Sequence, residues 1–149
     1  MEFKKMESAG YLINHLARLC FNGLNAQISP LGLAPAQFMT LLVLWREDGL
    51  TQKELVERLD VEQATMANTI ARMERDGLVE RRPHSSDGRA RSIHMTRKAQ
   101  SLEGEATKAA MRVNETMLSP LSEEERRMFI QTMQKILTSR KAAAEAEAH

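Results

Sequence analysis

The sequence predicts a mainly α fold with one small β-hairpin, and three observations lead there. Apolar residues recur at helical spacing through most of the chain. Residues 78–95 break that period: Leu78-Val79-Glu80-Arg81-Arg82 and Ser92-Ile93-His94-Met95 read as short strands on either side of the turn-rich Pro83-His84-Ser85-Ser86-Asp87-Gly88. Aromatic residues make up only 4% of the chain while Met is abundant, a mix that favours helix packing over a β-sandwich.

The elements follow in order. A first helix is expected from about Glu7 to Ile28, with Leu12, Leu16, Leu19 and Gly23 at helical spacing and Ser29-Pro30-Leu31-Gly32 ending it. A second begins near Pro35, where a first-turn proline is tolerated, and carries Phe38, Leu41, Leu42 and Trp45 as its apolar stripe. Thr51-Gln52-Lys53-Glu54 reads as a capping box opening a short third helix with Leu55, Val56 and Leu59 apolar. After a tight break at Leu59-Asp60-Val61, a fourth helix spans about Glu62 to Asp76, with Gly77 placed for a left-handed cap. Beyond the hairpin, Thr96 is expected to cap one long helix reaching Leu118. Ser119-Pro120 breaks it, and Ser122-Glu123-Glu124-Glu125 opens a last helix with Met128, Met133, Ile136 and Leu137. The Ala- and Glu-rich tail after Arg140 is assigned no function.

Two short helices joined by a tight turn and followed by a β-hairpin describe a winged helix-turn-helix. It is expected over residues 35–96. Residues 1–34 and 97–149 are left as a helical region whose simplest use is dimerisation.

Composition narrows the function. The 149 residues and 42% hydrophobic content suit one compact domain with attached oligomerisation helices. A lone cysteine, Cys20, makes no internal disulfide and no metal cluster, which fits a reducing cytoplasm. No apolar run is long enough for a membrane span, and the N-terminus lacks the apolar core of a secretory signal, so a cytoplasmic location is expected. His15, His84, His94 and His149 are scattered, without metal-ligand spacing. There is no Gly-rich phosphate loop and no nucleophile motif, so neither cofactor, metal nor enzymatic activity is expected.

At 100° per residue, Met66, Ile70 and Met73 of the fourth helix share a narrow apolar arc, and Ala64, Thr65, Asn68, Arg72 and Arg75 fall opposite. The second face suits a DNA major groove: small residues allow close approach, Gln63 and Asn68 can read adenine, Thr65 can touch a thymine methyl, and Arg72 can meet phosphate. The same pattern also describes an ordinary amphipathic helix with a solvated polar face.

The hairpin tilts the balance. The net charge of the chain is only +1, yet between Arg81 and Lys98 stand six cations, Arg81, Arg82, Arg89, Arg91, Arg97 and Lys98, against one acid, Asp87. Such a segment can neutralise phosphates with salt-sensitive binding. Arg89, just past the hairpin tip, can enter a minor groove, and Asp87 can hold its guanidinium through a bidentate pair. A solvated surface hairpin is the plainer alternative.

The stretch from Leu50-Thr51-Gln52-Lys53-Glu54-Leu55 through Leu59-Asp60-Val61-Glu62-Gln63-Ala64-Thr65 and Ile70-Ala71-Arg72-Met73-Glu74-Arg75-Asp76-Gly77 to Asp87-Gly88-Arg89-Ala90-Arg91 and Met95-Thr96 resembles the MarR/SlyA family of winged helix-turn-helix regulators. Asp87-Gly88-Arg89 matches the Asp-x-Arg wing signature, Glu62-Gln63 is similar to the SlyA branch, and Pro30-Leu31-Gly32-Leu33 with Gln37-Phe38 is typical before the second helix. Gly88 departs from the pattern, standing where the family commonly has a second basic residue. The resemblance implies a homodimeric repressor that binds a pseudo-palindromic operator in double-stranded DNA through Gln63, Ala64, Thr65, Asn68, Arg72, Arg82, Asp87, Arg89 and Arg91. It also implies release by a small aromatic acid, for which His15, Arg18, Met39 and Trp45 are the candidate pocket residues and Arg18 the partner for a carboxylate. Two alternatives stay open on the same scaffold: a thiol redox sensor acting through Cys20, and a winged-helix module that binds protein rather than DNA.

Overall fold

The computed structural model describes residues 1–84 and 87–149, with the side chains of residues 87–89 outside the description. The chain forms α1 (Ala9–Ile28), α2 (Pro35–Leu44), β1 (Leu50–Thr51), α3 (Gln52–Leu59), α4 (Gln63–Arg75), β2 (Val79–His84), β3 (Asp87–Met95), α5 (Arg97–Ser101), α6 (Glu103–Leu118) and α7 (Glu123–Glu147). It divides into two compact units, residues 1–113 and 114–149.

In the first unit, side-chain hydrogen bonds set the starts of α1, α2 and α3. Ser8 accepts from the Tyr11 amide and so starts α1 at Ala9, two residues later than periodicity suggests. Gln37 reaches back to the Ala34 amide at the start of α2. Thr51 and Glu54 form the expected capping box, 3.1 and 3.2 Å. Asp60 takes a left-handed conformation (φ 52°) between α3 and α4, which a short polar side chain tolerates. Glu62 stands outside α4 as its N-cap residue. Gly77 (φ 72°) closes α4 with a bond to the Glu74 carbonyl, and the Leu78 amide bonds that of Met73, the paired bonds of a Schellman end.

One core joins these elements. Phe38, Leu41 and Leu44 of α2, Leu55 of α3, Met66, Ile70 and Met73 of α4, Ile93 of β3, and the small Ala99, Ala106 and Ala109 of α5 and α6 are all buried. The expected stripe of α2 needs one correction: Leu42 is exposed, and Leu44 takes the inward position. Trp45 packs edge-on to Phe38, centroids 6.0 Å apart, and its indole N–H donates to the Ala99 carbonyl at 3.0 Å.

The sheet is larger than the expected hairpin. β2 and β3 pair antiparallel with Val79 opposite Met95 and Arg82 opposite Ser92, and an irregularity between Pro83 and His84. β3 reaches back to Asp87, well before Ser92. A third strand, β1, lies on the other side of β3 with Leu50 opposite Ile93, giving the order β1-β3-β2. The single long helix expected after Thr96 is two helices, α5 and α6, separated at Leu102.

The second unit contains α7. Ser122 and Glu125 make the expected capping box. Arg126 donates to the Leu118 carbonyl and to the Glu115 carboxylate, closing the turn into α7. Ile130, Met133 and Leu137, at i, i+3 and i+7, are exposed. The tail after Arg140 is helical to Glu147. No single helix among the described residues is long and apolar enough to cross a membrane.

Candidate nucleic-acid interface

Helix α4 is fixed to the protein by one face and leaves the other open. Met66, Ile70 and Met73 are buried in the core, and the Thr69 hydroxyl donates to the Thr65 carbonyl. Gln63, Ala64, Thr65, Asn68 and Arg72 are all exposed. Ala64, Thr65, Asn68 and Arg72 therefore share one open face and Gln63 lies exposed at the first turn, with donors, acceptors and a cation that can meet base edges and phosphates. Gln63 is not isolated there: its side-chain oxygen accepts from the Gln52 amide at 3.4 Å, across the turn between the two short helices.

At the far end of α4 the helix is tied down by charge. The Gln37 amide donates to one oxygen of Asp76 at 2.8 Å, Arg75 Nε approaches the other at 3.4 Å, and Lys98 Nζ donates to the Asp76 main-chain carbonyl. The Gln37 hydrogen bond is the main reason that the Asp76 carboxyl titrates below its usual range, with Arg75 and Lys98 adding to it against a smaller effect of desolvation.

On the wing, Arg82 and Arg91 are exposed. The expected Asp87–Arg89 ion pair falls on side chains outside the described residues. The positive segment is more compensated than counting along the hairpin implies, because acids from flanking positions reach it. Arg81 bonds Glu74 of α4 at 2.7 Å, and Arg82 holds Glu80 on its own strand at 2.9 and 2.5 Å. Neither acid lies between Arg81 and Lys98 in sequence, so only the fold reveals them.

The root of the wing is braced by a cluster that sequence reading missed. The Asp48 carboxylate accepts the Met95 amide at 2.9 Å, and its other oxygen lies 3.7 Å from His94 Nδ1. His94 Nε2 is 2.9 Å from the Ser92 hydroxyl, which also faces the Arg82 carbonyl. Gly49 (φ 77°) packs so closely that a Cβ there would stand 2.9 Å from His94 Cε1. Ser92 is buried and engaged, so this Ser-His-Asp line braces backbone rather than exposing a nucleophile. The alternation of His94 with Ser92 was legible, but Asp48 was not, because it lies 46 positions earlier in the chain.

Of the four candidate effector residues, one lines a described cavity. Met39 lines a concavity of about 270 Å³ between α2 and α4, with Ala36, Thr40, Leu59, Val61, Thr65, Met66 and Thr69. His15 and Arg18 are exposed on α1, with the Tyr11 ring edge-on to His15 at 6.2 Å. Trp45 is committed to Phe38 and Ala99. The lining side chains carry no charge, and the Thr40 and Thr69 hydroxyls donate to carbonyls of their own helices. Cys20 is half-buried.

The chain is similar to known proteins. The model of the MarR family matches residues 31–90. The uncharacterized HTH-type transcriptional regulator YwoH of Bacillus subtilis is 32% identical over 117 residues, 78% of this chain and 85% of its own. The crystal structure of a MarR transcriptional regulator from Methanosarcina mazei superposes with a TM-score of 0.83 at 27% identity, covering 90% of this chain and 96% of that one. The transcriptional repressor CouR, solved bound to a 23-mer DNA duplex, gives 0.81 at 25% identity over 92% and 99%. With a recognition-type helix anchored on a winged scaffold and relatives matched over most of their length, the chain belongs to the MarR family of DNA-binding transcriptional regulators.

Proposed function

We propose that the protein is a homodimeric repressor that occupies a pseudo-palindromic operator in the cytoplasm and leaves it when a small molecule binds. The observation that carries this reading is α4: three buried residues lock it to the core while Ala64, Thr65, Asn68 and Arg72 stand open together and Gln63 is exposed at its start. The N-terminal half of that helix reads base edges in the major groove, Arg72 meets phosphate, and the wing, through Arg82, Arg89, Arg91 and the Asp87 that orients it, lies along the neighbouring minor groove.

The exposed apolar side chains of α1 (Ile13, Leu16, Leu19, Phe21) and of α7 (Ile130, Met133, Leu137) support dimerisation, since such rows are costly to leave in water. Residues 1–34 and 97–149 form the dimerisation region and residues 35–96 the DNA-binding domain. Two-fold symmetry then sets the half-sites about one helical turn apart.

The effector reading rests on Met39. Its concavity shares Thr65 with the open face of α4, so a molecule wedged there acts directly on the helix that reads DNA. An aromatic ring fits the apolar lining. Its carboxylate requires a cation from outside that lining, a role for Arg18 or His15 in the assembled dimer.

The test is a fluorescence-anisotropy titration with duplex DNA from upstream of the protein's own gene, against a scrambled duplex, at several salt concentrations. Preference for the upstream duplex with a steep salt slope supports the repressor reading. Absence of binding to either duplex at low salt removes it and leaves the protein-binding module.

A further inference from the structure

We propose that His94 is a protonation-dependent brace at the root of the wing, so that acid tightens the protein's hold on DNA. The inference rests on the reading that the wing touches DNA. Its basis is a count of donors and acceptors.

Ser92 has one hydroxyl proton and two neighbours that want it. If it donates to the Arg82 carbonyl, 3.3 Å away, then His94 Nε2 must donate to the Ser92 oxygen, 2.9 Å away. The neutral ring then turns the Nδ1 lone pair toward the Asp48 carboxylate at 3.7 Å, a repulsive contact. In the other neutral tautomer Nδ1–H faces Asp48, but Ser92 must then donate to Nε2 and the Arg82 carbonyl loses it. Only the imidazolium satisfies Asp48, Ser92 and Arg82 together. The ring stands beside Gly49, where any Cβ would come within 2.9 Å of His94 Cε1, so a glycine leaves it room in this position.

Protonation therefore links two parts of the fold. Asp48 belongs to the turn between α2 and β1, and its second oxygen already holds the Met95 amide. Ser92 and Arg82 are paired positions on the two wing strands. A charged His94 ties that turn to both strands and stiffens the base of the hairpin.

It also changes the charge that DNA meets. His94 sits opposite Glu80 in the β2–β3 register, and Glu80 is the carboxylate that holds Arg82. A cation opposite Glu80 competes for that carboxylate and leaves Arg82 freer to meet phosphate. Several other charged groups near the sheet are already engaged. From α3, Glu54 accepts the Thr51 amide and Arg58 pairs with Glu47, and Lys98 of α5 donates to Asp76. Among the charged groups of the described residues, only Asp48 lies within ion-pair distance of the ring.

The experiment is the anisotropy titration repeated between about pH 5.5 and 7.5, the window in which histidine changes charge. Wild type is expected to bind duplex at least about fivefold more tightly at the acid end, the low end of site-to-site coupling. His94→Gln should flatten that response, and Asp48→Asn, which keeps an oxygen for the Met95 amide, should shrink it. His84→Gln should leave it intact. A full pH response in both His94→Gln and Asp48→Asn, each shown by thermal melting to be folded, overturns the proposal. Arg89→Ala in the same titration separates the two claims. Unchanged affinity there sinks the wing reading and the proposal with it; weakened affinity there, with the pH response intact in His94→Gln, sinks the proposal alone.

Discussion

Gln37 and Asp76 meet across the DNA-binding unit: the side-chain amide of Gln37, at the first turn of α2, donates 2.8 Å to the carboxylate that follows the last turn of α4. The same Gln37 accepts the Ala34 amide with its oxygen. One buried side chain thus caps one helix and holds the end of another. The position of the recognition-type helix is set at its C-terminal end by a hydrogen bond and in its middle by packing.

This link makes a prediction about acid. The Gln37 amide, helped by Arg75 and Lys98, holds the Asp76 carboxyl below its ordinary value of 3.8. A depressed folded-state value means stability that is fully present above the unfolded value and disappears as pH falls through the folded one. Asp76→Asn should therefore cost stability at neutral pH, and the gap from wild type should close below about pH 3.8. Urea unfolding at neutral pH and at successively lower pH measures the gap. A gap that stays constant through the acid range would show that the carboxylate charge is not what stabilises this joint.

The sequence exposed the α4 site and hid its supports for a physical reason. A helix sorts its residues by angle, so Met66, Ile70 and Met73 separate from Asn68 and Arg72 within one stretch of chain. The partners Gln37–Asp76, Arg81–Glu74 and Asp48–His94 come from different elements, and no local period marks them. The strand β1 escaped for a similar reason. Two residues cannot display an alternation, and Leu50–Thr51 becomes a strand only through Ile93 and Ser92 of β3. The outer part of β3 escaped because Arg89-Ala90-Arg91 lacks the apolar alternation of a half-buried strand; cross-strand pairing such as Pro83 with Arg91 defines it instead. The four effector candidates rest on resemblance rather than on geometry, and of them the fold brings Met39 to the concavity beside α4.

Two substitutions two positions apart on α4 should separate stability from recognition. Ile70 is fully buried, so Ile70→Ala leaves a cavity and should cost about 2–5 kcal/mol of unfolding free energy. Asn68 is exposed, so Asn68→Ala should change stability by less than about 0.5 kcal/mol. It should relax base preference by about 1–3 kcal/mol at one position per half-site. Denaturant melts and binding to a randomised duplex pool read the two effects. If Asn68→Ala leaves the preference profile unchanged, Asn68 does not read a base.

The wing cations should respond to their acids as well as to their own removal. Arg89→Ala should weaken binding to every sequence and reduce the salt slope by about one, the signature of a lost phosphate contact. Glu80→Gln works in the opposite direction. It removes the charge that holds Arg82, so binding to any duplex should tighten and the slope steepen. An exposed pair such as Arg82–Glu80 contributes little to folding, so the melting temperature of Glu80→Gln should barely move. Unaltered DNA affinity in that variant would mean that Arg82 points away from the phosphates.

Ile130, Met133 and Leu137 are more than a third exposed at helical spacing on α7, in a helix with no buried residue of its own. Such a helix draws its stability from a partner surface more than from propensity, even with the Ser122 cap and three acids in its first turn. Placing a charge in the row, as in Met133→Asp, should turn a dimer into a monomer in sedimentation velocity, because an unpaired carboxylate resists burial. Residues 1–113 make a separate compact unit with its own core, so the variant should keep the α4 fold and a weak grip on DNA. Operator affinity should fall much further than affinity for a single half-site, since joining two half-sites raises the effective concentration at the second. A Met133→Asp protein that sediments as the wild type does, and binds the full operator equally well, would place the subunit interface elsewhere.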